Sequence, residues 1–314
     1  MQKTKLLIAA LGAMFALPAL AEDAAVTQHK EDIHVVPASA HTFTSNVGLF
    51  SQYVFRGLTQ TNEKPAIQGG FDYSHASGVY LGTWLSNISW FTDQNANTIA
   101  APIPLGAPGV IGAPYIANRN NTASLEWDVY GGYKSSFATD WNYDIGFLRY
   151  EYPGTYENLG FFKKPNTNEI YGALGYKWIT AKYSHSLGDT FGINDARGSY
   201  YLDLSANIPL ADSGFTLGLH GGRQKYKGRS DLLRVAPGGA ASTSYDNNVF
   251  SYTDWKMSIN KEYVGLNFGL AFTSTNARGT EVDTLTGAPN AIYQNVYGRN
   301  IGRSETVLSV ARSF

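Results

Sequence analysis

Cysteine is absent from all 314 residues. That excludes disulfides, thiol catalysis and thiolate metal sites, so the fold is held together without covalent cross-links. Charge is scarce as well. Only 16 % of residues are Asp, Glu, Lys or Arg, and 24 bases against 25 acids leave a net charge of −1. A chain so nearly neutral, without basic runs, gives no electrostatic footprint for a nucleic-acid partner. Methionine is down to 3 residues, and the Leu/Ala/Glu/Lys periods of a helical enzyme are missing. Beyond residue 21 no run of about 18 apolar residues occurs, which excludes a transmembrane helix. Nothing in the residue pattern calls for a cofactor. His29, His34 and His41 share one polar segment, but their loose spacing without a fixed scaffold points to solvent exposure rather than a metal site.

What is present is glycine and aromatic side chains: Gly 33, Tyr 21, Phe 16 and Trp 6. Aromatic residues favour strands, and Tyr and Trp favour membrane interfaces. The first residues have a different character. Lys3 and Lys5 precede an apolar run from Leu6 to Leu17, and Ala19-Leu20-Ala21 has the small-x-small form that signal peptidase accepts. Residues 1–21 therefore read as a cleaved secretory signal peptide. Residues 22–42 read as a flexible periplasmic lead-in and 43–314 as one domain.

That domain alternates at period 2 in segments of the length a membrane-crossing strand requires. One face of 44–56 carries Val47, Leu49, Tyr53 and Phe55, the other Asn46, Gln52 and Arg56. In 65–75, Ile67, Phe71 and Tyr73 oppose Gln68, Asp72 and Ser74. The segment 78–87 is ambiguous, since Val79, Leu81 and Leu85 compete with Tyr80 and Trp84 for the apolar face. The rhythm continues through Leu125–Lys134, Trp141–Phe147, Glu169–Trp178, Ile179–Ser184, Tyr200–Ile208, Phe215–His220, Asp254–Ile259, Val264–Thr273 and Thr306–Phe314. Connections near 76–77, 135–140, 178–179, 209–214 and 260–263 are short. Those near 57–64, 88–122, 152–168, 186–198, 225–250 and 274–304 are longer. The expected fold is all-β: a transmembrane antiparallel up-and-down β-barrel of about twelve strands, closed because an open edge leaves backbone groups unpaired in lipid. The loops 88–122 and 225–250 are candidates to fold inward or to cover the outer mouth.

The run Tyr53-Val54-Phe55-Arg56-Gly57-Leu58-Thr59-Gln60-Thr61, then Pro65-Ala66-Ile67-Gln68-Gly69-Gly70-Phe71-Asp72-Tyr73, carries a family likeness. It goes on through His75, Ser77-Gly78, Tyr80, Gly82-Thr83-Trp84 and Ser86-Asn87. It resembles the TorF-type porin family of proteobacteria, a Gcw_chp-like group formerly catalogued as a conserved family of unknown function. The specific likeness covers about 43–90. It implies an outer-membrane barrel in a Gram-negative bacterium with a channel role, and it brings neither catalytic residues nor a substrate. The terminal Phe314 resembles the signal by which such barrels are handed to the barrel-assembly machinery, although Arg312 departs from that pattern. Outer-membrane lipid, lipopolysaccharide and small hydrophilic solutes are the partners this implies.

If the polar faces turn inward, a charge-lined lumen results. Its expected lining is Gln52, Arg56, Asp72, Glu126, Asp128, Asp144, Lys182, Asp203 and Lys256, joined by Lys134, Lys177 and Asp254. Mixed charges around a narrow bore select among small hydrophilic solutes, which makes passive diffusion the leading reading. The same charges, paired across strands, would instead occlude a structural or adhesive barrel. A lipid hydrolase is the remaining alternative. Ser184-His185-Ser186 is its stronger candidate and Ser74-His75-Ala76-Ser77 the weaker, but neighbours along a strand face opposite sides.

Overall fold

The computed structural model describes residues 39–95, 120–156, 163–232, 243–277 and 297–314, with 281–282, 289–290, 293 and 295. The expected signal peptide and most of the 22–42 lead-in lie outside the described residues, as do the central parts of the 88–122 and 225–250 loops.

Twelve antiparallel strands close into a single barrel. They are β1 His41–Phe50, β2 Ala66–His75, β3 Val79–Asn87, β4 Leu125–Ala138, β5 Trp141–Glu151 and β6 Thr167–Tyr176. The second half comprises β7 Ile179–Ser186, β8 Tyr200–Pro209, β9 Phe215–Lys225, β10 Tyr252–Tyr263, β11 Leu266–Thr275 and β12 Glu305–Ser313. Each strand pairs with its sequence neighbours, and β12 returns to β1 with Ser313 opposite Asn46 and Ser309 opposite Phe50. Beyond that ladder, Phe314 and Ser45 exchange both backbone bonds, at 2.8 and 3.1 Å. The closed sheet leaves no edge strand, as the expectation required.

The alternation sorts the side chains in the reverse of a soluble barrel. Phe71, Leu81, Ile145, Leu204, Leu270 and Leu308 stand exposed on the outside, while their neighbours along each strand turn inward and are polar or small. In β3 the outward set is Val79, Leu81 and Leu85, and Trp84 is buried inside. The ambiguity is resolved by closure, since only one register lets neighbouring strands share an apolar outer face. Turns at one end are short: 76–78, 139–140, 177–178, 210–214 and 264–265. The connections at the other end are all longer. Around the short-turn end runs a ring of outward aromatic residues, among them Tyr133, Phe137, Trp141, Tyr176, Trp178 and Tyr263.

The first strand departs from expectation. The alternating run 44–56 does not form one long strand. β1 ends at Phe50, and residues 51–65 leave the wall and enter the lumen from the long-loop end. There Val54–Phe55 pairs with Leu58–Thr59. The turn between them is Arg56-Gly57, with φ of 45° and 78°, the two-residue arrangement that tight hairpins prefer and that glycine tolerates at no steric cost. Gly57 is required for a second reason. A Cβ there would lie 2.6 Å from Thr275 on β11 and 2.7 Å from Asp254 on β10.

Candidate functional site

Inside the barrel, glycine and tyrosine are placed together by register. Asp72, Gly82 and Tyr130 lie opposite one another on β2, β3 and β4. Gly82 has no side chain, so the Tyr130 ring lies across it and donates to Asp72 Oδ1 at 2.6 Å. Tyr80 and Tyr171 reach towards each other over Gly132 and Gly146, and their hydroxyls meet. Tyr80 also donates to Asp144 Oδ1 at 2.6 Å. On the other wall Tyr201 lies across Gly222, where a Cβ would overlap its hydroxyl, and it bonds Asp254 at 2.9 Å.

At the long-loop end the lumen is filled by the inner hairpin. Its tip residue, Arg56, reaches the wall opposite β1. The guanidinium donates to Glu169 on β6 at 2.9 Å and to Gln224 on β9 at 2.6 Å. Both side chains of the Arg56–Glu169 pair are 1 % exposed. Three aromatic rings, of Phe55, Phe191 and Tyr201, lie 4.9, 5.2 and 4.3 Å from the Arg56 guanidinium carbon. Gln52 donates to Glu305 on β12 at 2.9 Å, and Tyr53 donates to Glu126 on β4 at 2.7 Å. The hairpin thus spans from β12 and β4 across to β6 and β9. Beside it an enclosed space of about 40 Å³ remains, bounded by Tyr53, Arg56, Trp84, Asp128, Tyr150 and Lys182. A water needs about 10–15 Å³ of such space, so the gap has room for only a few.

The hairpin is secured outside the wall too. Glu63 is bound by Arg303 at 2.5 Å and by Arg299 at 3.3 Å, and Arg303 also donates to Glu305 at 2.8 Å. The bonds to Glu305, with the nearby charges of Glu305 and Glu63, hold the Arg303 guanidinium above its ordinary pKa. Phe91, Ile88 and Tyr152 pack around Tyr53 and Trp84, while Leu58 packs with Ile193, Tyr226 and Phe250. The long-loop end therefore has an aromatic core of its own, which a water-filled pore mouth lacks.

The residues expected to line a pore divide into three groups. Gln52 and Arg56 are corrected in position: they belong to the inner hairpin, because the chain leaves the wall after Phe50 and doubles back at Arg56-Gly57. Asp72, Glu126, Asp128, Asp144, Lys182, Asp203 and Lys256 stand on the inner face of the barrel. Lys134 does too, its ammonium 5.3 Å from the Tyr80 ring, and Lys182 lies 3.9 Å from that of Tyr171. Lys177 does not. It sits in the short turn after β6 with φ of 52° and faces Asp140 at 3.8 Å.

Sequence reading missed Glu169, Tyr150, Gln224 and His220. Glu169 falls on the polar face of its alternating segment, but nothing in the chain links it to Arg56, 113 residues away. His220 sits between Asp203 and Asp254, at 3.3 and 2.9 Å, with Ser205 Oγ 3.0 Å from its Nδ1. The trio looks like a hydrolase triad but is wired differently. Ser205 donates to Asp203 at 2.5 Å, and each ring nitrogen faces a carboxylate, whereas a triad leaves one nitrogen to the serine alone. The His185 candidate fares no better. Its ring turns outward to the Tyr183 hydroxyl at 3.0 Å, while Ser184 and Ser186 are buried on the inner face. His75 bonds Ser77 at 2.8 Å within a short turn.

A family model described as "Bacterial protein of unknown function (Gcw_chp)" matches residues 34–314. No curated protein matches the chain. Among solved structures, the KdgM porin is similar over 86 % of this chain and 98 % of its own, with 8 % identity and a TM-score of 0.42. The NanC porin is similar over the same shares, at 11 % identity and a TM-score of 0.41. OprD of Pseudomonas aeruginosa is similar over 87 % of this chain and 66 % of its own, at 11 % identity and a TM-score of 0.35.

Proposed function

The chain belongs to the Gcw_chp family of bacterial proteins of unknown function, and from that premise we propose that it is an outer-membrane porin of the TorF type. In this reading it passes small hydrophilic solutes through a narrow lumen that the inner hairpin restricts. The observation that carries the proposal is the inversion of the wall. An edgeless barrel with Leu, Ile and Phe outside and carboxylates and lysines inside suits a lipid surround and an aqueous interior. The aromatic ring at the short-turn end suits a headgroup boundary. Short turns then face the periplasm and long loops the exterior. Phe314, outward and paired with Ser45 at the seam, is accessible to assembly machinery, and the Arg312 guanidinium lies 5.0 Å over its ring. Surrounding lipid and lipopolysaccharide are the remaining partners.

A second reading is favoured by one specific observation. The buried Arg56–Glu169 pair fastens the hairpin across the bore, as an occluded structural or adhesive barrel would need. Planar-bilayer recording separates the two. Refolded full-length protein is expected to show small or intermittent steps. A variant with Ser51–Lys64 replaced by a short turn is expected to show larger, sustained ones. A folded barrel that conducts in neither form would establish the occluded reading instead.

A further inference from the structure

The inward charges are not evenly balanced around the wall. On β8–β10, Asp203 and Asp254 enclose His220, and on β6, Glu169 is matched by Arg56. On β2, β4 and β5 the carboxylates are held differently. In order from the long-loop end they are Glu126, Asp128, Asp72 and Asp144. Glu126, Asp72 and Asp144 take hydrogen bonds from the neutral phenols of Tyr53, Tyr130 and Tyr80, at 2.7, 2.6 and 2.6 Å. No ion pair within 4.0 Å joins any of the four to a described Lys or Arg. The nearby lysines, Lys134 and Lys182, stand over the tyrosine rings and act on Asp72 and Asp144 from beyond ion-pair distance.

A phenol orients a carboxylate without cancelling its charge. Three oxygens in this file, Glu126 Oε2, Asp128 Oδ1 and Asp72 Oδ2, are buried without a hydrogen-bond partner. Glu126 is 1 % and Asp128 9 % exposed, and Asp128 borders the small space beside the hairpin. Leaving these buried carboxyl oxygens unpaired costs free energy, which a passing cation would recover. The file descends one wall, from the flank of the hairpin to the short-turn end. Fixed like charges along a narrow low-dielectric passage concentrate counter-ions and exclude co-ions.

We propose that this file on β2, β4 and β5 is a cation path, and that small cations, inorganic or ammonium-type, are the solutes the barrel prefers over anions. The inference rests on the porin reading and adds its charge selectivity. Its test is the reversal potential of the refolded full-length protein in a planar bilayer under a KCl gradient. Potassium is expected to be favoured over chloride several-fold. The Asp72→Asn/Asp144→Asn double variant should conduct with that ratio falling toward unity. Lys134→Gln, which removes a base beside Asp144 and leaves the file intact, should raise the ratio and serves if the double variant does not fold. Conductance that favours chloride, or a ratio unmoved by these variants, overturns the cation path and leaves the porin standing. No conductance from either the intact or the hairpin-shortened protein overturns the porin reading, and the path with it.

Discussion

Arg56 concentrates most of what holds the inner hairpin in place. It occupies a left-handed backbone position, which costs a side-chain-bearing residue about 1–2 kcal/mol, and it is held there by bonds to Glu169 and Gln224 and by three aromatic rings. Removing one partner of a buried ion pair costs about 3–5 kcal/mol, because the other charge is left uncompensated. In Arg56→Ala the barrel ladders remain intact, so the loss should fall on the hairpin. Hydrogen exchange at the Thr59 and Gln60 amides, which bond Ile301 and Tyr53 at 2.8 Å, is expected to accelerate by orders of magnitude. Amides in the middle of β6 should stay protected. Unchanged exchange at Thr59 and Gln60 would mean that the ion pair does not hold the hairpin.

The inner hairpin is the element that periodicity could not place. Its residues alternate as a strand does, so Tyr53 and Phe55 extended the pattern of Val47 and Leu49 without a break. The local signal lay in Arg56-Gly57, a two-residue turn with short alternating runs on either side. The wall strands were legible because an apolar exterior on one side and a polar interior on the other enforce period 2 over their whole length. That rule can be tested within single strands. Leu204, near the middle of β8, is 59 % exposed on the outer face. Leu204→Arg is expected to cost about 2–4 kcal/mol at the midplane, read as a lowered urea midpoint for folding into vesicles. Arg at inward Asn260, near the short-turn end, should lower it far less. Equal effects at both sites would refute the assignment of faces.

For the whole molecule, the separation of short turns from long loops sets its orientation. The absence of cysteine makes this simple to test, because any single introduced thiol is unique. Cysteine at exposed Lys227, in a long loop, should react with an impermeant maleimide on intact cells. Cysteine at exposed Asp212, in a short turn, should react only after the outer membrane is opened. The reverse labelling pattern would invert the barrel. Closure of the sheet also explains the high glycine and tyrosine content. Within the bore, tyrosines reach across an intervening strand where that strand presents glycine, as at Gly82 and Gly222.

By itself, the sequence determined the number of wall strands, the faces of all but the third, and the unequal lengths of their connections. Each of these follows from local periodicity and from the requirement that backbone groups be paired within the wall. It also identified Asp72, Glu126, Asp128, Asp144, Lys182, Asp203 and Lys256 as inward residues. Only the tertiary structure decided what those charges meet. Arg56 finds Glu169 across the bore, His220 finds two aspartates, and Asp72 and Asp144 find phenols. Such pairings depend on strand register, shear and an inward-folded connection, which bring together residues far apart in the chain. No local pattern records that distance, so whether a lumen charge is neutralised or left to act on a solute is settled only when the barrel closes.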